Sequence, residues 1–196
     1  MKKLPNIFKI DNKLPPKKGR ILISQPLLND GIFARSIVLI TEHNQNGTIG
    51  FVLNKLAGYT LREIFPEFKG IKLPVYIGGP VSTNSLHFIY KYNKPLPNSH
   101  HIIEDLYWNG NLKELKEYLY NNIFNETNIK FFIGYSGWAK GQLKQELENS
   151  FWIVNDIYDL NSIFTEDYRN MWKRNVIRLE KKYHFWLNVP LNPQLN

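Results

Sequence analysis

Cysteine is absent from the 196-residue chain. This absence excludes disulfides, thiol catalysis and zinc or iron–sulfur sites built on thiolates. A chain without thiols is typical of a reducing compartment, so we expect a cytoplasmic protein. Long apolar runs are also missing, because no segment approaches the roughly 18 apolar residues that a membrane span needs. We therefore expect a soluble protein with no membrane partner.

The phosphate-binding and metal-binding signatures are missing as well. Neither G-x-x-x-x-G-K-S/T nor G-x-G-x-x-G occurs, so Gly78-Gly79-Pro80 is interpreted as a turn rather than a phosphate loop. His100 and His101 precede two acidic residues but do not form the H-E-x-x-H zinc motif. The sequence therefore predicts no cofactor and no metal site.

Positive charge is abundant but unevenly placed. The net charge is +8, and residues 1–20 carry +6 of it through seven basic residues and one acidic residue. We predict a basic, partly ordered N-terminal arm over residues 1–18, followed by one domain over residues 19–196. The nearly neutral remainder does not favour sequence-specific nucleic-acid binding, because phosphate contacts give affinity without sequence choice.

The densest core-forming stretch covers residues 19–55. Residues 36–43 and 48–54 are apolar runs that flank Asn46-Gly47, and this pattern predicts a β-hairpin with a type I′ turn. Residues 21–28 predict a third strand that ends at Asn29-Asp30-Gly31. These strands together predict a small antiparallel sheet.

The rest of the chain mixes short strands and helices. Thr60 begins a capping box that predicts a short helix, and Asn111 and Thr165 are predicted to cap two later helices. We expect a tight turn at residues 134–137, a helix over 142–148 and an extended tail from Tyr183. The further predicted strands cover residues 74–77, 85–90, 102–108, 129–133 and 151–154. The absence of strict βαβ alternation favours an α+β fold with a mainly antiparallel sheet.

Three segments in this order resemble the YqgE/AlgH family of bacterial proteins. They are RSIVLITEHNQNGTIGFVLNK, YIGGPVSTNSLH and FFIGYSGWAKGQLKQEL, and the ending PLNPQLN is also similar to that of family members. The resemblance implies strands curled into a pseudo-barrel with helices packed outside. The family is largely uncharacterised, and a genetic association suggests a role as transcriptional regulators. Ser24 and Ala139 depart from its usual residues without removing a chemical group.

The family pattern also indicates which residues to consider as a site. Matching positions are Phe33, Arg35, Glu42, His43, Asn54, Gly78, Gly79, Pro80, Gly134, Ser136, Gly137, Trp138, Gly141, Gln142 and Glu146. We take as candidate ligand- or partner-binding residues Arg35, Glu42, His43, Asn54, Gly78, Gly79, Ser136, Trp138 and Gln142. An arginine, amides and glycine backbone converging on one concave face would suit a small anion or a peptide end.

Two other function classes stay open. A hydrolase would use Ser136 or His43, with Asp156 or Asp159 and His184 completing a triad. The glycine spacing of G-x-S-x-G is broken by Trp138, which favours a structural role for Ser136. A DNA-binding protein would use the arm and the basic residues of the last helix, which are Arg169, Lys173, Arg174, Arg178, Lys181 and Lys182.

The leading hypothesis is a non-catalytic interaction or ligand-binding domain without catalytic residues. Its partner would be an unknown protein or a small anionic ligand.

Overall fold

The computed structural model describes residues 6–28 and 30–190. The strands are β1 Arg20–Ser24, β2 Ile37–Asn44, β3 Gly47–Val52, β4 Leu56–Thr60, β5 Pro74–Ile77, β6 Val81–Lys91, β7 His100–Ile103, β8 Leu106–Trp108, β9 Ile129–Ala139 and β10 Trp152–Asp156. The helices are α1 Leu61–Ile64, α2 Leu112–Tyr120, α3 Gln142–Glu148, α4 Ser162–Thr165 and α5 Tyr168–Arg178, with 3₁₀ turns at Asn6–Phe8 and Lys181–Asn188. The first residues of the predicted arm, Asn29 of the predicted turn after the strand at residues 21–28, and the tail beyond Pro190 lie outside the described residues. The strand predicted over residues 21–28 ends at Ser24, so the prediction is wrong for residues 25–28.

The strands form one sheet in the order β10-β1-β2-β3-β9-β6-β8-β7, with β4 and β5 attached beside β9. All pairings are antiparallel except that of β5 with β9. The prediction of an α+β fold with a mainly antiparallel sheet is therefore confirmed. Among the described residues β10 and β7 do not pair with each other, so the sheet is not closed and the pseudo-barrel is not confirmed.

Strand β9 joins the two parts of the sheet. Its first half pairs with β6 on one side and with β5 on the other, while Ser136–Ala139 pair with β3. A tight turn was predicted at residues 134–137, and this prediction is wrong. These residues instead continue β9, and Gly134 bends the strand with φ +66°. Glycine is required there because a Cβ would lie 2.6 Å from the carbonyl oxygen of Gly79.

The predicted hairpin is confirmed, although its turn differs. β2 and β3 pair from Asn44 with Gly47 to Val38 with Val52, around a bulge at Thr41. The two-residue loop is therefore 45–46 rather than Asn46-Gly47. Asn46 does not have a positive φ, so the predicted type I′ turn is wrong. Gly47 is required for close approach instead, because a Cβ would lie 2.4 Å from the carbonyl oxygen of Trp138.

Helix boundaries follow the local capping chemistry. The Asn111 side chain accepts the backbone N–H of Lys113 at 2.8 Å and caps α2 as predicted. Thr165 instead ends α4, and the Asp167 carboxylate caps α5, so the predicted cap is wrong. The predicted extended tail from Tyr183 is also wrong as far as it is described, because a 3₁₀ turn covers Lys181–Asn188. The predicted strand at 102–108 is two strands, β7 and β8.

The main core lies between the sheet and the C-terminal helices, with α5 and the Lys181–Asn188 turn covering it. Phe8 and Ile10 of the N-terminal segment are buried in this core. Asn12 reaches β10 through two bonds, accepting the N–H of Val154 at 2.7 Å and donating to the carbonyl of Trp152 at 3.0 Å. Within the described part of the chain, no helix combines the length and apolar character needed to cross a membrane.

Candidate functional site

The turn before β2 is held by Asn54 at the end of β3. The Asn54 amide accepts the N–H of Ile37 and donates to the carbonyl of Arg35, both at 2.9 Å. Arg35 adopts φ +49°, a conformation that a non-glycine residue rarely takes without such support. Asn54 therefore fixes the backbone from which the Arg35 side chain projects.

Two cationic side chains meet at this turn. The Arg35 guanidinium lies over the Trp172 ring, 5.1 Å from its centroid, and donates to the carbonyl of Val189. The Lys55 ammonium donates to the carbonyl of Ala34 at 2.6 Å. Neither cation lies within ion-pairing distance of an acidic side chain among residues 6–28 and 30–190.

Burial makes both charges costly. Loss of hydration lowers the pKa of Arg35, and the same effect lowers the pKa of Lys55. The nearby charge of Arg35 lowers the pKa of Lys55 further. A bound anion would offset both the repulsion and the lost hydration.

Lys55 opens onto a groove of about 530 Å³, which we call the cationic groove. It runs between β4, the loop before β2 and the first residue of α5. Its lining residues are Gly31, Ile32, Asn54, Lys55, Leu56, Ala57, Gly58, Ile77 and Tyr168. A concave site with apolar walls and a cation at one end is suited to a ligand with an apolar body and a negatively charged group.

A second lysine is connected to this groove through two tyrosines. Lys130 of β9 is only 4% exposed, its ammonium donates to the carbonyl of Leu53 at 3.1 Å, and it lies 4.1 Å from the centre of the Tyr76 ring. Burial lowers the pKa of Lys130 to about 7, while the charge of Glu166 acts in the opposite direction. Tyr76 in turn contacts Tyr168 of the groove, with ring centroids 6.1 Å apart.

The other end of the β2–β3 hairpin carries Glu42 and His43. His43 shares a hydrogen bond of 2.7 Å with the hydroxyl of Thr48, and Glu42 accepts the amide of Asn44 at 2.7 Å. Glu42 and Trp138 line an open groove of about 350 Å³ beside the end of β9. His43 is exposed and bonds only within its hairpin, so the structure gives it no catalytic partner among the described residues.

Trp138 and Gln142 belong to a cluster around Glu146 of α3. One carboxylate oxygen of Glu146 accepts the indole N–H groups of Trp138 and Trp152, each at 2.8 Å. The other oxygen accepts the Gln142 amide at 3.0 Å, and Gln142 accepts the N–H of Ala139 at 3.0 Å. These contacts join α3 to β9 and β10, so they give Trp138, Gln142 and Glu146 a structural role.

Gly78, Gly79 and Ser136 meet where the chain crosses β9. The buried Ser136 hydroxyl donates to the carbonyl of Gly78 at 3.0 Å. A Cβ on Gly79 would lie 2.3 Å from the carbonyl carbon of Tyr135, and a Cβ on Gly78 would lie 2.3 Å from the carbonyl oxygen of Gly134. Both glycines therefore permit a close backbone crossing.

The residues proposed for a triad have separate partners. Ser136 bonds to Gly78, Asp156 pairs with Arg20 at 2.8 Å, and His184 bonds to the carbonyl of Leu179 at 3.1 Å. The alternative acid Asp159 accepts the N–H of Asn161 at 3.0 Å. Among the described residues these side chains do not form the hydrogen-bonded chain that a serine nucleophile needs.

The basic residues of α5 are partly neutralised. Arg174 and Arg178 lie 3.5 Å and 3.9 Å from the buried carboxylate of Glu166. Arg169 likewise pairs with Asp167 at 3.0 Å. Lys181 and Lys182 lie beyond α5 in the 3₁₀ turn, where Glu180 pairs with Lys182 at 3.5 Å and with Lys13 of the N-terminal segment at 2.7 Å. The helix therefore presents less free positive charge than its sequence indicates.

The register shows which candidate residues can act together. Arg35 and Asn54 lie at one end of the hairpin, while Gly47 at the other end pairs with Ala139, just before Gln142. The length of β2 places these ends roughly 25 Å apart. The hypothesis that Arg35 and Asn54 converge with Trp138 and Gln142 on one concave face is therefore wrong, although binding by the residues at either end stays a prediction.

Lys55 and Lys130 were missed by the sequence reasoning. Lys55 directly follows Asn54 and resembled an ordinary charged strand end. Lys130 is the one charged residue of strand Ile129–Ala139 and lies beside Phe131 and Phe132, and a lone lysine in such a run is the signal that could have identified it.

Comparisons with known proteins agree with this architecture. Residues 21–184 match the AlgH-like family. A UPF0301 protein of Parabacteroides distasonis is 40% identical over 194 residues, covering 97% of this chain and 98% of that protein. Another UPF0301 protein, from Cytophaga hutchinsonii, is 38% identical over 180 residues, covering 91% and 98%.

Two solved structures share the fold. A crystal structure of a Corynebacterium diphtheriae protein has a TM-score of 0.71 at 24% identity and covers 90% of this chain and 94% of that one. The solution structure of AlgH from Pseudomonas aeruginosa has a TM-score of 0.68 at 24% identity, covering 93% and 95%. At this identity the likeness concerns the fold alone. The family match and the curated relatives together show that the chain belongs to the AlgH-like family.

Proposed function

We propose that this protein is a non-catalytic cytoplasmic domain that binds an anionic group in the cationic groove. The observation that carries the proposal is the pair Arg35 and Lys55, two nearby desolvated cations without an acidic partner in the described part of the chain. Two such charges repel each other, and an anion between or beside them would remove that cost. The groove beside Lys55 supplies the space.

The comparisons support the family and leave its activity open. A role in transcription would, in this proposal, act through the bound ligand or partner rather than through base recognition. The cations of the last helix support weak contact with nucleic acid at most, since Glu166 engages Arg174 and Arg178, and Asp167 engages Arg169.

The proposal is tested by titrating the ¹⁵N-labelled protein with inorganic phosphate and with acetate, at constant ionic strength set by chloride. We expect saturable shifts of the backbone amides of residues 54–58. Lys55→Met should abolish the saturation, whereas Lys94→Met, at an exposed loop lysine, should leave it unchanged. Shifts that are linear in anion concentration, or identical in Lys55→Met, would refute an anion site.

The hydrolase and DNA alternatives need separate controls. An activity screen on ester, amide and phosphoester substrates should give the same background for the wild type and Ser136→Ala. A labelled duplex titrated over a salt series should bind only weakly, without sequence preference and with a steep loss as salt rises. Activity that disappears in Ser136→Ala would support an enzyme instead.

A further inference from the structure

Strand β4 borders the cationic groove and has a free edge. Its one strand neighbour among the described residues is β5. The N–H of Ile77 in β5 donates to the carbonyl of Lys55 at 2.7 Å, so the backbone polar groups of Lys55 point toward β5. Because successive residues of an antiparallel strand face opposite sides, the N–H and C=O of Leu56 point away from β5. These backbone groups are available to an added strand.

The side chains along this edge are apolar and unusually exposed. Leu56 is 37% exposed and Tyr59 is 60% exposed, while Ala57 and Gly58 between them complete the wall of the groove. Large apolar side chains exposed beside an unpaired edge are typical of a surface that binds an extended segment. The residues from Leu56 to Tyr59 carry no charge, so positive charge is confined to the Lys55 end.

The uneven distribution of charge along β4 indicates which kind of ligand would bind there. A nucleic acid carries a negative charge at every nucleotide and would need cations along the whole edge. A free inorganic anion would not use the apolar side chains. An extended peptide that ends in a carboxylate carries one terminal negative charge next to backbone and apolar groups, which matches the arrangement of Lys55 and β4.

We propose that the C-terminal segment of a partner protein binds as an additional strand on β4. Its free carboxylate contacts Lys55, with Arg35 adding positive charge behind it. Its last apolar side chain packs against Leu56, and its backbone bonds to the outward-facing N–H and C=O of Leu56. This inference rests on the proposed function, because it identifies the anionic group as a peptide terminus.

The test compares two versions of one probe. A heptapeptide of alternating threonine and valine that ends in valine carries fluorescein at its N-terminus and either a free carboxylate or an amide at its C-terminus. Fluorescence anisotropy should show saturable binding of the acid form and at least about tenfold weaker binding of the amide form. Lys55→Met should remove this difference between the two forms.

A second pair of variants examines the backbone contact. Leu56→Pro removes the outward-facing N–H while leaving the pairing of Lys55 with β5, since proline is tolerated where a strand N–H faces outward. Leu56→Ala shortens the same side chain but keeps the N–H. We expect Leu56→Pro to bind the acid peptide at least about fivefold more weakly than Leu56→Ala. Circular dichroism and thermal unfolding check that both variants are folded.

The outcomes separate this inference from the proposed function. Equal binding of the acid and amide peptides, or equal binding by Leu56→Pro and Leu56→Ala, would overturn the inference. Saturable binding of phosphate or acetate without peptide binding would overturn this inference alone, while the absence of both would also overturn the proposed function. A wild-type dimer that Leu56→Pro converts to a monomer, together with no peptide binding, would assign the edge to a second copy and refute the peptide.

Discussion

Replacing Lys130 by methionine should change how stability depends on pH. The side chain is 4% exposed, and within the described part of the chain its ammonium has one hydrogen-bond acceptor, the carbonyl of Leu53. Methionine has a similar length and no charge, so the variant keeps most of the packing while removing the ionisation. The comparison therefore isolates the protonation of one buried amine.

The expected size follows from the two pKa values. Lys130 has a pKa of about 7 in the folded protein and 10.5 when hydrated, so between these values the unfolded chain holds more protons. The free energy of unfolding of the wild type therefore rises with pH across this window, by up to about 1.4 kcal/mol per pH unit. Near the lower end of this pH window, the Lys130 amine of the folded protein is itself half protonated, so the rise with pH is less steep there. The gain from this lysine alone is then about 2 kcal/mol between about pH 7 and about pH 9.

Urea unfolding followed by tryptophan fluorescence measures the difference. The stability of the wild type minus that of Lys130→Met should shift by about 2 kcal/mol in favour of the wild type between about pH 7 and about pH 9. Lys140→Met, at an exposed lysine just beyond β9, serves as the control and should show no such shift. A wild-type minus Lys130→Met difference that stays constant with pH would show that the buried amine is not destabilised by its surroundings.

Three further changes test the framework around the site. Glu146→Ala should lower the free energy of unfolding by about 3 kcal/mol, because two buried indole N–H groups lose their acceptor. Urea unfolding should show a clearly smaller loss for Glu148→Ala on the same helix, and equal losses would contradict a stabilising role of the Glu146 hydrogen bonds. Gly79→Ala should cost at least about 2 kcal/mol more than Gly70→Ala in thermal unfolding, since both have positive φ but only Gly79 meets the backbone of β9. His87 has a pKa lowered by burial, against a raising effect of its Asn109 bond, so stability should fall as the pH drops below about 6.5. His87→Leu should reduce that acid sensitivity, and an unchanged acid transition would contradict it.

Features set by neighbouring residues could be predicted from the sequence. The cap of α2 depends on Asn111 and the two residues that follow Leu112, and the β2–β3 hairpin depends on two apolar runs joined by a short polar segment. The exact turn was missed because Gly47 is selected by its contact with β9, which lies about ninety positions later in the chain. Similarly, Gly134-Tyr135-Ser136-Gly137 has the composition of a turn but is held within strand β9 by its pairing with β3 and β6.

The candidate site depended on such distant pairings. Arg35 and Lys55 come together because β2 and β3 align the start of one strand with the end of the other. The desolvation of Lys130 depends on Tyr76 and Leu53, which belong to different parts of the sheet. No local pattern encodes these distances, so the sequence indicated Arg35 but neither the second cation nor the groove.

The three neighbours of β9 constrain how the chain can be synthesised and divided. Until residues 129–139 leave the ribosome, β3, β5 and β6 each lack one of the two strands that they pair with in the finished sheet. A nascent chain or a fragment that stops before Ile129 would therefore present several open strand edges at once, which is the arrangement most prone to aggregate. We expect stable fragments of this protein to retain β9. We also expect insertions to be tolerated far better in the loop around residue 94 than within the paired residues of β3 and β9.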